Sequence, residues 1–145
     1  PLKPSQILDA FFGTLLRMGN EAGGVTFLRL IGRTLTEPAE FIRTVLANEY
    51  ANVLERYKEA LFRALPEVPK EEIVWRFHFM LGATSYAIAG TDALRLVADW
   101  EIEALDAVDH VDRLVPRLMS FLLGGLRAPL PQFEEASDVA DARAA

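Results

Sequence analysis

The sequence predicts an all-α protein, and three observations support that prediction. Apolar residues recur at spacings of three and four along most of the chain, as they do on one face of a helix. Proline or glycine marks most of the boundaries between these stretches. No stretch alternates apolar and polar residues as a half-buried strand would. The chain has 145 residues, 51 % of them hydrophobic, and is long enough to bury the core of one domain. We expect five to six helices.

Two helices are predicted in the first third of the chain. The stretch PSQILDAFFGTLLRMG, residues 4–19, places paired apolar residues one turn apart, with Ser5 as its N-cap. Asn20 and the Gly-Gly pair that follows it then interrupt the pattern. A second helix is predicted over VTFLRLIGRTL, residues 25–35, and the Thr-Glu-Pro sequence after it marks its end.

The longest apolar pattern runs from Pro38 to Leu65, and charged residues occupy the positions that face away from it. It predicts either one long helix or two helices joined by a bend between residues 48 and 52. Pro66 ends this stretch, because proline has no amide hydrogen to donate and clashes with the preceding turn. The proline and two glutamates that follow are typical of a new helix start, where carboxylates are favoured by the helix dipole.

The second half of the chain contains two strongly apolar helices. The first is predicted from about residue 70 to Ala89, and the second over about residues 110–127, before a pair of prolines. Between them, residues 91–109 show only a weak helical pattern. We assign residues 1–131 to one domain. Residues 132–145 are polar and rich in alanine, and we expect them to form a disordered tail.

The composition argues against several classes of protein. The absence of cysteine excludes disulfides, thiolate metal sites and a cysteine nucleophile. A formal net charge of −6 argues against a nucleic-acid-binding surface, because phosphate contacts need clustered lysine and arginine. An uncharged run over residues 77–91 is shorter than the roughly 18 residues of a membrane span. No signal peptide is recognisable. We expect a cytoplasmic protein with no membrane partner and no cofactor.

The helix from about residue 70 to Ala89 is apolar on more than one face, and such a helix must be covered on both sides. The interior of one domain covers one side, and a second copy of the chain is the most economical cover for the other. The last helix also has more apolar surface than one domain covers, and Gly124 and Gly125 would let another helix approach closely. Two helices from each subunit would then form a four-helix interface about a two-fold axis. The alternative is a monomer with a buried central helix.

Two stretches of the sequence resemble a known family. They are ERYKEALFRALPEVPKEEIVWRFHFMLGA, residues 55–83, and RLVPRLMSFLLGGLRAP, residues 113–129. Together they resemble the carboxy-terminal effector domain of TetR-family transcriptional regulators, a likeness that extends over about residues 5–129. It is closest to members with an LP-x-x-P-x-x-E junction before a W-R-x-H-F-x-x-G helix. That subgroup includes repressors that respond to fatty acids or acyl-CoAs.

The resemblance implies a homodimer, a small apolar effector inside each subunit, and an amino-terminal helix-turn-helix that binds operator DNA. The sequence lacks that helix-turn-helix, so operator DNA is expected to be a partner only through a missing amino-terminal domain. The two strongly apolar helices would form the dimer interface, to which we assign Phe77, Met80, Leu81, Leu118, Met119, Leu122, Gly125 and Leu126. The effector would lie between the first helix and those over residues 49–65 and 70–89. To its site we assign Phe12, Leu16, Phe27, Phe62, Trp75, His78, Phe79 and Tyr86.

Several of these residues have a second interpretation. An interior rich in aromatic residues is either a filled core or the wall of an apolar pocket, and composition does not separate the two. The residue types favour a core position for Trp75, and a hydrogen-bonded core or interface histidine for His78. Arg17, Arg29 and Arg76 could pair with an acidic ligand group, or could be surface arginines.

Catalysis and metal binding have less support. The histidine nearest to Ser85 on its face is two turns away, about 10 Å, which is too far for a nucleophile and its base. Neither histidine follows a glutamate by three residues, as helical two-metal sites require. Asp106 and His110 lie one turn apart, but we assign no metal to them. The sequence therefore predicts a sensing and dimerising domain that is not an enzyme, and the alternative is a helical module that binds a different protein.

Overall fold

The structure is a computed structural model that describes residues 1–37, 39–89 and 111–133, and these residues contain helices and no strand. The predicted all-α class is therefore confirmed. The described residues form six α-helices, and a π-helical turn at Asp9–Gly13 and a 3-10 turn at Met18–Asn20 adjoin the first two. The α-helices are α1 (Pro4–Leu8), α2 (Thr14–Arg17), α3 (Gly24–Thr36), α4 (Glu40–Ala64), α5 (Lys70–Ile88) and α6 (Val111–Leu126).

Helix α1, the π turn, α2 and the 3-10 turn follow one another without a gap, and we call residues 4–20 the first helix. Its N-cap is Lys3, whose backbone N–H donates a hydrogen bond to Gln6 Oε1 at 2.8 Å. Pro4 occupies the first helical position, where proline is favoured because a backbone N–H there has no hydrogen-bond partner within the helix. The prediction of Ser5 as the cap was wrong, because Ser5 already lies inside the helix.

The Gly-Gly pair turns the chain between the first helix and α3. Gly23 has a φ of 73°, in the left-handed region that glycine enters without steric cost. A side chain on Gly24 would overlap the carbonyl oxygen of Met18. Both positions therefore need glycine, and the predicted break in the helical pattern is a tight turn.

Helix α5 lies at the centre of the described fold and packs against α3, α4 and α6, while the first helix packs against α4 and α6. The contact with α3 is close, because a Cβ on Gly32 would lie 2.7 Å from the Ser85 carbonyl oxygen and 2.7 Å from the Ala89 nitrogen. Arg33 Nε also donates a hydrogen bond to the Ala89 carbonyl oxygen at 3.3 Å, at the end of α5. The core is built from aliphatic and aromatic side chains, among them Ile7, Leu8, Phe12, Leu16, Leu28, Leu61, Ile73, Ile88, Leu122 and Leu126.

Helix α4 is one continuous helix, which decides between the two arrangements predicted for this stretch. Three sequence-based predictions concern residues outside the described ones: the weak helical pattern over residues 91–109, the Asp106 and His110 pair, and the tail after residue 133. Among the described helices, none combines the length and the apolar character needed to cross a membrane.

Candidate functional site

Helix α5 has two apolar faces, and they have different surroundings. The inner face, formed by Ile73, Phe77, Met80, Thr84 and Ile88, is buried. The residues opposite it lie four, three and four positions apart, at Trp75, Phe79, Gly82 and Tyr86. Such a 4-3-4 spacing is typical of a stripe that packs against another helix. We call these four residues, with His78 of α5 and Phe121, Gly124 and Gly125 of α6, the outer face.

The outer face is apolar and open. Trp75 is 51 % exposed, Phe79 61 %, Tyr86 56 % and Phe121 69 %. The Trp75 and Phe79 ring centroids lie 5.8 Å apart, and His78 lies 6.2 Å from Trp75 and 5.9 Å from Phe79. A Cβ built on Gly82, Gly124 or Gly125 meets no described atom within 4 Å. The described part of the subunit therefore makes no contact that requires glycine at these positions.

Arg76 connects the two helices that carry the outer face. Its Nη1 donates a hydrogen bond to the Leu126 carbonyl oxygen at 2.7 Å and its Nη2 to the Pro129 carbonyl oxygen at 3.2 Å. The guanidinium is buried and satisfies carbonyl groups at the end of α6, where a cation is favoured by the helix dipole. Arg76 is therefore neither a surface arginine nor free to pair with an acidic ligand group, because its guanidinium caps the end of α6. Beside it lies a small apolar notch of about 150 Å³, lined by Arg76, Phe79, Met80, Phe121, Leu122 and Gly125.

A larger groove lies between the first helix and α4. Its volume is about 810 Å³, and its lining is Leu2, Ile7, Ala10, Asn52, Val53, Glu55, Arg56, Tyr57, Glu59, Ala60 and Arg63. Apolar residues predominate, and the charged residues all come from α4. The Tyr57 hydroxyl donates a hydrogen bond to the Ala10 carbonyl oxygen at 3.3 Å and so ties the two walls together.

Aromatic rings fill the space between this groove and α5. The Phe11 ring centroid lies 4.8 Å from that of Phe12, 4.7 Å from Tyr57 and 5.6 Å from Phe77. Phe12 and Phe77 are 6.0 Å apart. Edge-to-face contacts of this kind stabilise a packed core beyond the area they bury. The groove therefore has two of the three helices predicted to surround the effector as its walls, and packed rings separate it from the third.

An ion pair spans the π turn on the exposed side of the first helix. Arg17 Nη1 donates a hydrogen bond to Asp9 Oδ1 at 2.9 Å, and Nη2 donates one to Asp9 Oδ2 at 3.2 Å. The hydrogen bond from Arg17 lowers the pKa of the Asp9 carboxyl group, desolvation opposes this shift, and the positive charge of Arg17 adds to the lowering. The same bond raises the pKa of Arg17. Arg17 therefore already has an acidic partner within its own helix.

The structure does not bring the predicted effector residues together. Phe12 and Leu16 are core residues, and Phe62 is half-buried beneath the Lys70 ammonium, which lies 5.1 Å from its ring centroid. The other five are exposed: Phe27, Trp75, His78, Phe79 and Tyr86. The prediction of Trp75 as a core residue was therefore wrong, because the described subunit leaves 51 % of its surface exposed. None of the eight lines the groove, and their role in binding an effector stays a prediction.

The predicted interface residues divide differently. Five are buried in the core of their own subunit: Phe77, Met80, Leu118, Leu122 and Leu126. Leu81 and Met119 are half-buried, and Gly125 is exposed. Their assignment to an interface also stays a prediction. The predicted site residues did not include Phe121, Gly82 or the groove residues Arg56 and Arg63, although the 4-3-4 spacing on α5 was visible in the sequence.

Residues 9–125 match a family model described as Tetracyclin repressor-like, C-terminal domain. This range includes the ring cluster, the whole of α3, α4 and α5, and α6 up to Gly125. No curated protein matches the chain, and no solved structure matches it.

Proposed function

We propose, because the chain belongs to the tetracyclin-repressor-like C-terminal domain family, that it is the sensing and dimerising part of a transcription regulator. Domains of this family belong to transcription regulators, which are not enzymes. They commonly dimerise and bind small-molecule effectors. The two apolar surfaces of the domain, the outer face and the groove, support one of these roles each.

The outer face is the proposed homodimer interface, and the exposure of its aromatic side chains is the observation that carries the proposal. Four large rings project from two adjacent helices with more than half of each ring residue's surface in water. Contiguous apolar patches of this kind mark interaction sites. Because the patch lies on one pair of helices, a two-fold axis through it generates a four-helix interface from two copies of the chain.

The glycines of the outer face support a helical partner in particular. Gly82, Gly124 and Gly125 leave open space beside α5 and α6 that nothing in the described part of the subunit fills. Gly82 lies in the interior of α5, where glycine lowers stability by about 0.5–1 kcal/mol relative to alanine, so its presence at an open position favours a close approach by another backbone. Arg76 supports the same interface indirectly, because it holds the end of α6 against α5.

The groove between the first helix and α4 is the proposed effector site. Its volume of about 810 Å³ falls in the range typical of small-molecule sites. Arg56 and Arg63 line it together with Glu55 and Glu59. Glu55 is paired with Lys58, whereas neither arginine has an ion-pair partner among the described residues. An effector with an apolar chain and an anionic group matches this lining, and the sequence resemblance adds fatty acids and acyl-CoAs as the compounds to try first.

In an intact regulator, an effector in the groove would move the first helix relative to the dimer core. The DNA-reading heads of a dimer must match half-sites about one helical turn apart, so a movement of the helices that support them changes operator affinity. The effector shifts this equilibrium only by as much as it prefers one arrangement over the other.

Sedimentation velocity tests the interface. We expect a dimer at micromolar concentration. A stable monomer would contradict the proposal and favour the alternative, in which the outer face binds a different protein.

Thermal denaturation in the presence of dodecanoic acid, dodecanoyl-CoA and dodecanol tests the effector site. We expect stabilisation of the unmodified chain, about 2.7 kcal/mol at a ligand concentration one hundred times the Kd. Arg56→Gln should weaken binding of the two anions and leave that of the alcohol unchanged, and Arg113→Gln on α6 is the matched control. No stabilisation by any of the three compounds would contradict the groove assignment.

A further inference from the structure

We propose that the π turn at Asp9–Gly13 converts occupancy of the groove into a rotation of the amino-terminal end of the first helix, an inference that rests on the groove being the effector site. The turn is defined by a hydrogen bond from the Thr14 N–H to the Asp9 carbonyl oxygen, five residues back instead of four. Such turns are rare, and inside α-helices they occur frequently at functional sites.

The burial of the first helix shows what the turn does. Leu8, Phe12 and Leu16 are buried at spacings of four, as on one face of a regular α-helix, but Ile7 is also only 3 % exposed and lies nine positions before Leu16. In an uninterrupted α-helix nine residues correspond to about 900°, so the two side chains would point in opposite directions. The π turn absorbs one residue and reduces the angle between them to about 80°. Both ends of the helix can then face the same core.

The Asp9 and Arg17 ion pair depends on the same turn. Eight residues of regular α-helix would separate the two residues by about 12 Å along the axis and about 80° around it. The turn brings them onto one face, where the guanidinium and the carboxylate form two hydrogen bonds. Gly13 is buried beneath them, and a Cβ at that position would overlap Asp9 Oδ1 and lie 3.0 Å from Arg17 Nη1. The ion pair between Asp9 and Arg17 therefore favours the π register, and Gly13 leaves room for the pair.

The groove reaches the turn through Ala10 and Tyr57. Both residues line the groove, and the Tyr57 hydroxyl donates its hydrogen bond to the Ala10 carbonyl oxygen inside the turn. The Tyr57 ring also packs edge-on against Phe11, the next residue of the turn, with centroids 4.7 Å apart. A molecule in the groove contacts both walls and competes for the hydroxyl, so its presence removes a bond that holds the turn to α4.

Loss of the π register has a defined consequence. When the turn becomes α-helical, residues 4–8 rotate by about 100° and shift by about 1.5 Å relative to the rest of the helix. Leu8 then takes the place of Ile7, and Asp9 takes the place of Leu8, which is 1 % exposed, so the regular register is disfavoured by burial of a carboxylate until an effector compensates for it. The amino-terminal end of the first helix thereby changes its orientation on the domain while α2 keeps its packing.

The absence of native cysteine allows a test that needs no natural effector. Val53→Cys places one thiol in the groove, and octyl methanethiosulfonate attaches an eight-carbon chain to it. Ala47→Cys with the same reagent is the control, because residue 47 is exposed on α4 and does not line the groove. We expect the chain at residue 53 to accelerate amide hydrogen exchange in residues 9–17 by about tenfold or more, and the chain at residue 47 to have no effect there.

Two further variants isolate the turn. Deletion of Ala10 removes the extra residue, so the helix becomes regular, Ile7 and Leu16 still face the core, and the octyl chain at residue 53 no longer changes exchange in the first helix. Tyr57→Phe keeps the ring and removes the hydroxyl, and we expect it to accelerate exchange in residues 9–17 without any octyl chain.

Three results would overturn the inference: unchanged exchange with the chain at residue 53, an equal response after deletion of Ala10, or unchanged exchange in Tyr57→Phe. Hydrogen exchange in Tyr57→Phe tests the inference even if the variant that lacks Ala10 does not fold. Because the octyl chain is covalently attached, failure of free compounds to bind the groove would contradict the proposed effector site and leave this test intact.

Discussion

The inner and outer faces of α5 have similar side chains and opposite environments. Phe77 and Met80 on the inner face are buried, whereas Phe79, which lies between them in the sequence, is mostly exposed. The glycines show the same contrast: Gly32 of α3 touches the backbone of α5, and Gly82 on the outer face of α5 touches nothing described. Residue type therefore does not reveal which apolar face a subunit buries for itself and which it leaves for a partner.

The largest expected effect is a difference in the free energy of unfolding between substitutions at two adjacent residues, one on each face of α5. Met80→Ala should lower the free energy of unfolding by about 2–5 kcal/mol, because it leaves a cavity in a packed core. Phe79→Ala should change it by less than about 0.5 kcal/mol, as expected of an exposed position. Chemical denaturation measures both, with each substitution made together with Phe121→Glu so that association does not contribute. Equal changes in the free energy of unfolding for the two substitutions would show that Met80 and Phe79 do not differ in burial.

A charge on the outer face should prevent dimerisation. Phe79→Glu is expected to raise the dimer Kd by about thirtyfold or more, equivalent to about 2 kcal/mol, the loss expected at a central interface residue. Phe41→Glu is the matched control, because Phe41 is 77 % exposed but lies at the start of α4. Sedimentation equilibrium gives both dissociation constants. An unchanged Kd in Phe79→Glu would show that the outer face is not the interface.

The two glycines should respond to alanine in opposite ways. Gly32→Ala places a Cβ 2.7 Å from two backbone atoms, which forces α3 away from α5 and destabilises the subunit by about 1–3 kcal/mol. Gly82→Ala should stabilise the dissociated subunit by about 0.5–1 kcal/mol, since alanine is the better helix former. In the dimer we expect Gly82→Ala to weaken association. Thermal melts at high and low protein concentration separate these effects, and destabilisation by both substitutions at low concentration would contradict them.

The smallest effect is expected at an exposed polar pair that belongs to neither face. The pKa of Asp9 is lowered by its hydrogen bond with Arg17, so the pair contributes stability at pH values above the ordinary carboxyl pKa of 3.8. That contribution is lost as the pH falls through the lowered pKa. A carboxyl carbon NMR titration of Asp9 should therefore give a midpoint below 3.8, and Arg17→Gln should return it towards the ordinary value. A midpoint at or above the ordinary value would show that the ion pair does not form in solution.

Most helix boundaries could be predicted from the sequence, because proline, glycine and the apolar periodicity act locally. Predicted ends at Leu65 and Ala89 lie next to the observed ends at Ala64 and Ile88. The interruption of the first helix was not predicted, because a π turn follows from which distant side chains must share one core. The resemblance implied a site beside the first helix and residues 49–65, where the groove lies, but its lining by Arg56 and Arg63 was not predicted, because both have the charge pattern of an ordinary solvated face.

The sequence by itself determined that the chain is helical, that α5 is apolar on two sides, and that the chain resembles a family of regulators, since each of these depends on short-range pattern or on motif. Only the tertiary structure decided that Met80 faces the core, that Phe79 faces outwards, and that Arg76 caps α6. The reason is physical: a helix with two apolar faces can bury either one, and the choice depends on the volume and shape offered by α3, α4, α6 and the first helix together.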